Sequence, residues 1–222
     1  MRRIVILLPI VALLSACGGM IPGGRAPQKQ TVQRSTQVFT PSPEAQQCYN
    51  GLGLAKASFT PLPDQYYAAG CSAVSSVRLS GLSSDDAKFG VTNLGAVTCP
   101  LAQTFANWAR FGVDRAARQI LGSPLARIET MGSYSCRTIA GRDKLSAHAT
   151  ANAIDVSAFV LADGRRISVT GQWSGGTLQE RQFLQVIHAS ACKRFGTVLG
   201  PAYNAAHSDH FHVEVSARSF CR

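Results

Sequence analysis

The residues with chemical potential in this chain are its histidines. There are five, and four fall in two short clusters. The first cluster is Ser146-Ala147-His148-Ala149-Thr150-Ala151-Asn152-Ala153-Ile154-Asp155, and the second is His207-Ser208-Asp209-His210-Phe211-His212. A hydrolytic zinc ion takes three protein ligands from His, Asp or Glu and keeps a fourth position for water, whose pKa it lowers to about 7. His148 and Asp155 offer two such ligands, and the second cluster offers the third. On a strand, His210 and His212 point to the same face, so both can reach one pocket. Asp209, a carboxylate in the same cluster, is the candidate general base. Strict alternation puts Asp209 and His212 on opposite faces, so this arrangement requires the chain to bend or bulge at Asp209. The plainer alternative is that the His–Asp pair makes a surface hydrogen bond and that the histidine patch binds stray metal.

Secondary elements must bring these clusters together. Leu101, Phe105, Trp108, Ala109, Val113, Ala116 and Ile120 recur at helical spacing after Pro100, which suits a first turn, and Gly122 ends the run. Ile128 to Arg137 reads as extended. Ala153 to Leu161 is apolar and β-branched enough for a strand, Asp163-Gly164 signals a hairpin turn, and Arg166 to Val169 returns. Leu178 to Phe195 reads as a helix with Phe183, Ile187, Ala191 and Phe195 along one face. His212 to Val215 reads as a last strand. This order of helices and hairpin strands predicts an α+β domain with an antiparallel sheet and helices packed on it. His188, in mid-helix without a cluster, reads as structural. Trp173 and Tyr203 are candidates for a groove, with core packing favoured for Trp173.

The N-terminus predicts the compartment. Arg2 and Arg3 precede an apolar run from Ile4 to Leu14, and small residues lead to Cys17. This is the layout of a secretory signal peptide over residues 1–16, and the run is shorter than the about 20 residues a membrane span needs. Residues 17–45 are rich in Gly, Pro, Gln, Ser and Thr, which reads as a tether with an r.m.s. reach on the order of 30 Å. Residues 46–222 are long enough for one domain with its own core. Setting Cys17 aside leaves Cys48, Cys71, Cys99, Cys136, Cys192 and Cys221, an even set that predicts disulfides in an exported chain. Six cysteines allow 15 pairings, among which the sequence does not choose; the set taken here as the expectation is Cys48–Cys71, Cys99–Cys136 and Cys192–Cys221. The formal charge of +10 drops by two to +8 when Arg2 and Arg3 leave with the leader. A basic surface attracts polyanions; the export signal favours peptidoglycan and anionic lipid head groups and argues against nucleic acid.

Three resemblances sharpen these expectations. Leu14-Ser15-Ala16-Cys17 resembles the bacterial lipobox, which implies lipidation of Cys17 and a bacterial envelope protein, anchored at the periplasmic face of the outer membrane. The pattern Ser146-x-His148, Asp155, then Asp209-x-x-His212 within an HxH, resembles the LAS zinc metallopeptidases, a group of lysostaphin-type, D-Ala-D-Ala-type and hedgehog-type domains. The wording at 133–137, 145–159, 163–165 and 195–215, with Cys99-Pro100-Leu101, is similar to the extensin-like C-terminal domain family over roughly 48–222. The resemblance implies Zn²⁺ held by His148, Asp155 and His212, with Asp209 as catalytic carboxylate and His210 as the histidine that stabilises or orients the charged intermediate. It implies Arg137 as a substrate-binding or oxyanion-holding guanidinium, against a surface salt bridge. Ser146 and His207 would support the site from behind, against a plain turn hydroxyl and a structural histidine. Asp209 stands where some relatives have Glu, a longer reach to the water. The expected function is a zinc peptidase acting on peptide stems or crosslinks of peptidoglycan, as a carboxypeptidase or endopeptidase. The alternatives are a non-catalytic wall-binding lipoprotein that keeps the zinc pocket, and a metal-scavenging envelope protein.

Overall fold

A computed structural model describes residues 41–222. The leader, Cys17 and nearly all of the tether lie outside the described residues. The first helix, Pro43–Leu54, begins three residues inside the range read as tether. Ser42 caps it by accepting from the Ala45 amide at 3.2 Å, and Pro43 sits at its first position, where a missing N–H costs nothing. It buries Ala45, Tyr49 and Leu52 and packs beside the helix that starts at Cys99.

That second helix runs as an α-helix over Cys99–Trp108 and continues through two wider π-helical segments, Ala109–Asp114 and Ala117–Leu121. Gly122 closes it in the left-handed region at φ 72°, a conformation glycine adopts without strain. The expected apolar face holds through Ala116 and then slips by one position. Ala117 and Leu121 are buried, whereas Ile120 is only half-buried. A π turn bonds i to i+5 and so takes up an extra residue, which rotates the face past Ile120. The same wide turn buries Asp114, whose carboxylate accepts from the Leu125 amide at 2.9 Å and from Arg118 Nε at 2.7 Å, tying the helix to the strand that follows.

One 10-stranded, mostly antiparallel mixed sheet forms the body. From one edge its order is Ser58–Pro61, Ser76–Ser83, Lys88–Thr92, Leu125–Gly132, Ala153–Leu161, Phe211–Glu214, Thr197–Leu199 and Phe220–Cys221. Val97–Thr98 pairs with Ser76–Ser83, and Arg166–Ser168 pairs with Ala153–Leu161. Two pairings are parallel: Lys88–Thr92 with Leu125–Gly132, and Thr197–Leu199 with Phe220–Cys221. The α+β expectation therefore agrees with the structure, with these parallel pairs added to the antiparallel sheet. A separate two-stranded ribbon joins Gln65–Tyr66 to Ser72–Ala73.

The central strand Ala153–Leu161 is buried along most of its length. Phe159 meets Trp108 and Phe183 edge-on, at centroid distances of 6.1 and 5.5 Å, and Trp108 Nε1 donates to the Ile187 carbonyl at 3.0 Å. Each such aromatic contributes on the order of 2–3 kcal/mol by burial, so these contacts clamp the helix Leu178–Cys192 and the 99–121 helix onto the strand that carries Asp155. The extended segment expected over Ile128–Arg137 is instead a strand over Leu125–Gly132, and the chain leaves the sheet at Gly132, where φ is 123°. The strand expected as the last is Phe211–Glu214, one residue earlier at each end, and a further short strand, Phe220–Cys221, follows it.

Among the described residues the six cysteines form three disulfides: Cys48–Cys99, Cys71–Cys136 and Cys192–Cys221. The first two correct the expected Cys48–Cys71 and Cys99–Cys136. Cys48 lies on a helix packed against the one beginning at Cys99, while the ribbon carrying Cys71 lies against the loop carrying Cys136. Among the described residues no helix is long and apolar enough to cross a membrane.

Candidate metal centre

The two histidine clusters meet because the strands bearing them are neighbours. Phe211–Glu214 pairs antiparallel with Ala153–Leu161, and the register sets His212 opposite Asp155. Same-face neighbours at directly opposed positions have Cβ atoms about 5 Å apart, so the carboxylate and imidazole meet without strain. His148 arrives from the side, on a single 3-10 turn, Ala147–Thr150. Ser146 caps that turn by accepting from the His148 amide at 3.4 Å, and the Ser135 amide donates to the His148 carbonyl at 3.1 Å.

His148 Nε2 lies 3.2 Å from His212 Nδ1 and 3.1 Å from Asp155 Oδ2, while His212 Nδ1 lies 2.9 Å from Asp155 Oδ1. The outward-facing ring nitrogens determine what the inner ones can do. His148 Nδ1 donates to the Ser133 carbonyl, which can only accept. His212 Nε2 donates to Glu214 Oε2 at 3.3 Å. With both outer nitrogens carrying protons, the neutral rings turn two bare lone pairs toward each other and toward a carboxylate. Such a cluster needs a positive centre, either a proton or a metal ion. For zinc with bonds of about 2.0–2.1 Å, neighbouring tetrahedral ligands sit about 3.4 Å apart, close to the 3.2 Å between the two imidazole nitrogens and the 3.1 and 2.9 Å from them to different oxygens of Asp155. The donor set of two nitrogens and one oxygen fits the ion, and the backing of each histidine by a carbonyl or carboxylate is the arrangement that orients metal-bound imidazoles.

The electrostatics of the cluster favour positive charge within it. Burial pushes the Asp155 carboxyl up, but the bonds from His148 and His212 outweigh it and hold the group below the usual carboxylate range. Burial opposes charge on His212, yet Asp155 and Glu214 on either side raise it to about 9 in the metal-free protein. Glu214 is likewise raised by burial and drawn down further by His212 and Thr197, ending below its ordinary value. Sequence reasoning missed Glu214. The signal available was its place two residues after His212, which puts it on the same strand face. Ser133 was missed because its part is played by a backbone carbonyl.

The centre opens into a cleft of about 490 Å³. His210 lines it, with Nε2 at 3.5 Å from Asp155 Oδ1. Asp209 sits in a turn before the strand begins, so strand alternation does not govern it. It is absent from the cleft wall; its Oδ1 accepts from His210 Nδ1 at 2.7 Å. The group facing the centre is thus His210 Nε2, with the Asp209 carboxylate behind it. Arg137 and Ser146 line the same cleft. His207 does too, with Nδ1 held by Asn204 Oδ1 at 2.7 Å and its ring against those of His210 and His212. Burial and the neighbouring histidines push His207 down to about 4, so it is a neutral ring at neutral pH. Tyr203 is on the cleft wall, while Trp173 packs edge-on against His188 and Phe211. His188 lies outside the cleft and contacts the Arg222 carbonyl at 3.2 Å.

A family model described as Extensin-like protein C-terminus matches residues 46–222. No curated protein and no solved structure matches the chain.

Proposed function

The chain belongs to the Extensin-like protein C-terminus family, and from that footing we propose that it is a zinc-dependent peptidase acting on the peptide stems or crosslinks of peptidoglycan, held in a bacterial envelope by a lipid on Cys17. The observation that carries the reading is the convergence of an imidazole nitrogen from each of His148 and His212 with the Asp155 carboxylate beside an open cleft. His148, Asp155 and His212 would hold the ion, which when bound supplies an acidified water and a Lewis acid for a carbonyl. Ser146 and the Ser133 carbonyl aim His148, and Glu214 aims His212. Asp209 fixes the proton on His210 Nδ1, so His210 Nε2 is free to take a proton from the attacking water and return it to the leaving amine, as a paired base and orienter do. Arg137 lies on the same wall, where its fixed charge suits a substrate carbonyl oxygen as negative charge develops on it.

The test is digestion of purified wall fragments by the protein, with and without a chelator, with the products identified by mass. Cleavage that the chelator stops and zinc restores is the expected result. Asp209→Ala should keep the metal and the fold and lower turnover by about 10²-fold, because His210, the base, loses the carboxylate that orients it. Cleavage unchanged in the variant would remove Asp209 from the mechanism. A protein that holds one metal per chain, binds wall fragments and never cuts them would be the wall-binding lipoprotein instead.

A further inference from the structure

The cleft continues past the metal centre. A second lobe of about 430 Å³ adjoins the first, and the two share Arg142, Thr197, Glu214 and Phe220 as common walls. Cations dominate this second lobe: Arg142, Lys144 and Arg218 line it, with Glu214 as its carboxylate. Six arginines elsewhere on the domain are neutralised in place. Arg110 and Arg115 pair with Asp85, Arg118 with Asp86 and Asp114, Arg127 and Arg166 with Glu129, and Arg165 with Asp163. Among the described residues, Arg142, Lys144 and Arg218 form no such pair, and Glu214 in the same wall is bonded to His212 instead. Three cations without an ion pair therefore line one side of the cleft.

The backbone that carries these cations is braced. Residues 137–146 form a short hairpin, with Ser146 N–H donating to the Arg137 carbonyl at 3.0 Å, Ile139 N–H to Lys144 at 2.8 Å, and Arg142 N–H to Ile139 at 3.0 Å. The Cys71–Cys136 disulfide ties one foot of the hairpin, and the His148 turn follows the other. Arg218 sits on a turn closed by Ser216, whose Oγ donates to the Arg218 carbonyl at 2.9 Å. Phe220, edge-on to Tyr203 at 5.7 Å, stands where the two lobes join.

We propose that this lobe is an anion subsite that seats a carboxylate of the peptide whose neighbouring bond lies at the metal centre; the assignment rests on the peptidase reading of that centre. Two guanidiniums match a carboxylate with paired donors, and the lysine adds a point charge. Phe220 supplies an apolar face for the chain between carboxylate and scissile bond. Two sources share the required chemistry: a terminal α-carboxylate and the side-chain carboxylate of a diamino-dicarboxylic residue.

The experiment measures equilibrium binding to the full chain, metal-loaded and metal-free, by fluorescence anisotropy. Its probes are a labelled stem tetrapeptide with diaminopimelate and a free terminus, the same peptide as its C-terminal amide, and a version with lysine in place of diaminopimelate. The protein variants are Arg142→Gln, Lys144→Gln and Arg218→Gln, singly and together; all three residues are exposed, and metal content and melting temperature verify the fold. The triple variant should bind the free-acid peptide about tenfold or more weakly, the scale of charge-assisted hydrogen bonds lost at a solvated site. The probe whose affinity the triple variant leaves unchanged identifies the carboxylate that the lobe holds. Equal weakening of all three probes, no weakening of any, or no binding of any by the wild type overturns the subsite. Cation-dependent binding without cleavage sinks the peptidase reading alone, whereas cleavage and binding indifferent to the triple variant sink the subsite alone.

Discussion

Glu214 gives the sharpest test of the proposed metal centre, because its carboxylate would act on a bound ion through His212. The bond from His212 Nε2 spans 3.3 Å, long for a charge-assisted pair, so its worth falls at the low end of the usual range, about 1.5 kcal/mol. Glu214→Ala should therefore weaken intrinsic metal affinity about tenfold, and Glu214→Gln, which keeps an acceptor without the charge, about threefold. A second effect runs the other way. In the metal-free protein His212 holds its proton up to about pH 9, and Glu214 contributes to that hold. A proton bound that tightly competes with the ion by about 100-fold at pH 7, since each pH unit below the pKa is a factor of ten. Removing Glu214 lowers the His212 pKa and so relieves part of the competition at neutral pH. Above pH 9 no proton remains to be displaced, and only the intrinsic loss is seen. The affinity ratio of wild type to Glu214→Ala should rise from near one at pH 7 to about ten at pH 9.5. Competition titrations against a chromophoric chelator across that range, with the chelator's own pH dependence taken into account, measure the ratio. A ratio that stays flat with pH, or equal affinities at pH 9.5, would refute the coupling of Glu214 to the ion through His212.

Three further outcomes follow from the same geometry. The metal-free protein should lose stability as pH rises: His212 is raised from its ordinary 6.5 to about 9, so its contribution is complete below pH 6.5 and is lost as pH climbs through 9. Its melting temperature should fall between pH 7 and 10 while that of the metal-loaded protein does not, and parallel curves would show that His212 is uncoupled from folding. Asp114→Ala strips the buried Leu125 amide and Arg118 of their shared acceptor and should cost about 3 kcal/mol in denaturant unfolding; a loss under 1 kcal/mol would mean that water replaces the carboxylate. Replacing both Cys71 and Cys136 by serine opens a loop of 65 residues and should cost about 4 kcal/mol by chain entropy, read as a lowered midpoint in denaturant, with an unchanged midpoint as the contrary result.

Much of this architecture was legible from residue order. Helical periodicity located the 99–121 and 178–192 helices because each buries a stripe of large apolar side chains, and Gly122 marked an end that no β-carbon would tolerate cheaply. The central strand announced itself through its run of buried residues around Asp155. The region before Cys99 was not legible: its strands are short, polar at alternate positions and set by pairing with distant segments, as in Ser76–Ser83 against Ser58–Pro61. Pairing of Cys48 with Cys99 depends on helix packing, which local spacing does not encode. At the site, His148, Asp155 and His212 stood out by residue type, whereas Glu214 looked like one more strand carboxylate and Ser133 contributes only a carbonyl. The placement of Asp209 behind His210 depends on a turn whose direction the letters do not specify.

The opposition of His212 and Asp155 across two neighbouring strands has a bearing on how the chain finds its native pairing. Sliding one strand by a single residue against the other would send every second side chain to the far face, and the carboxylate would then be separated from the imidazole by the sheet itself. An ion that demands both ligands on one side therefore rewards the correct alignment alone, and it does so over a segment only four residues long, where backbone bonds discriminate weakly. Metal capture in this domain would serve as a proofreading step on β-strand alignment as well as the arming of a reactive centre.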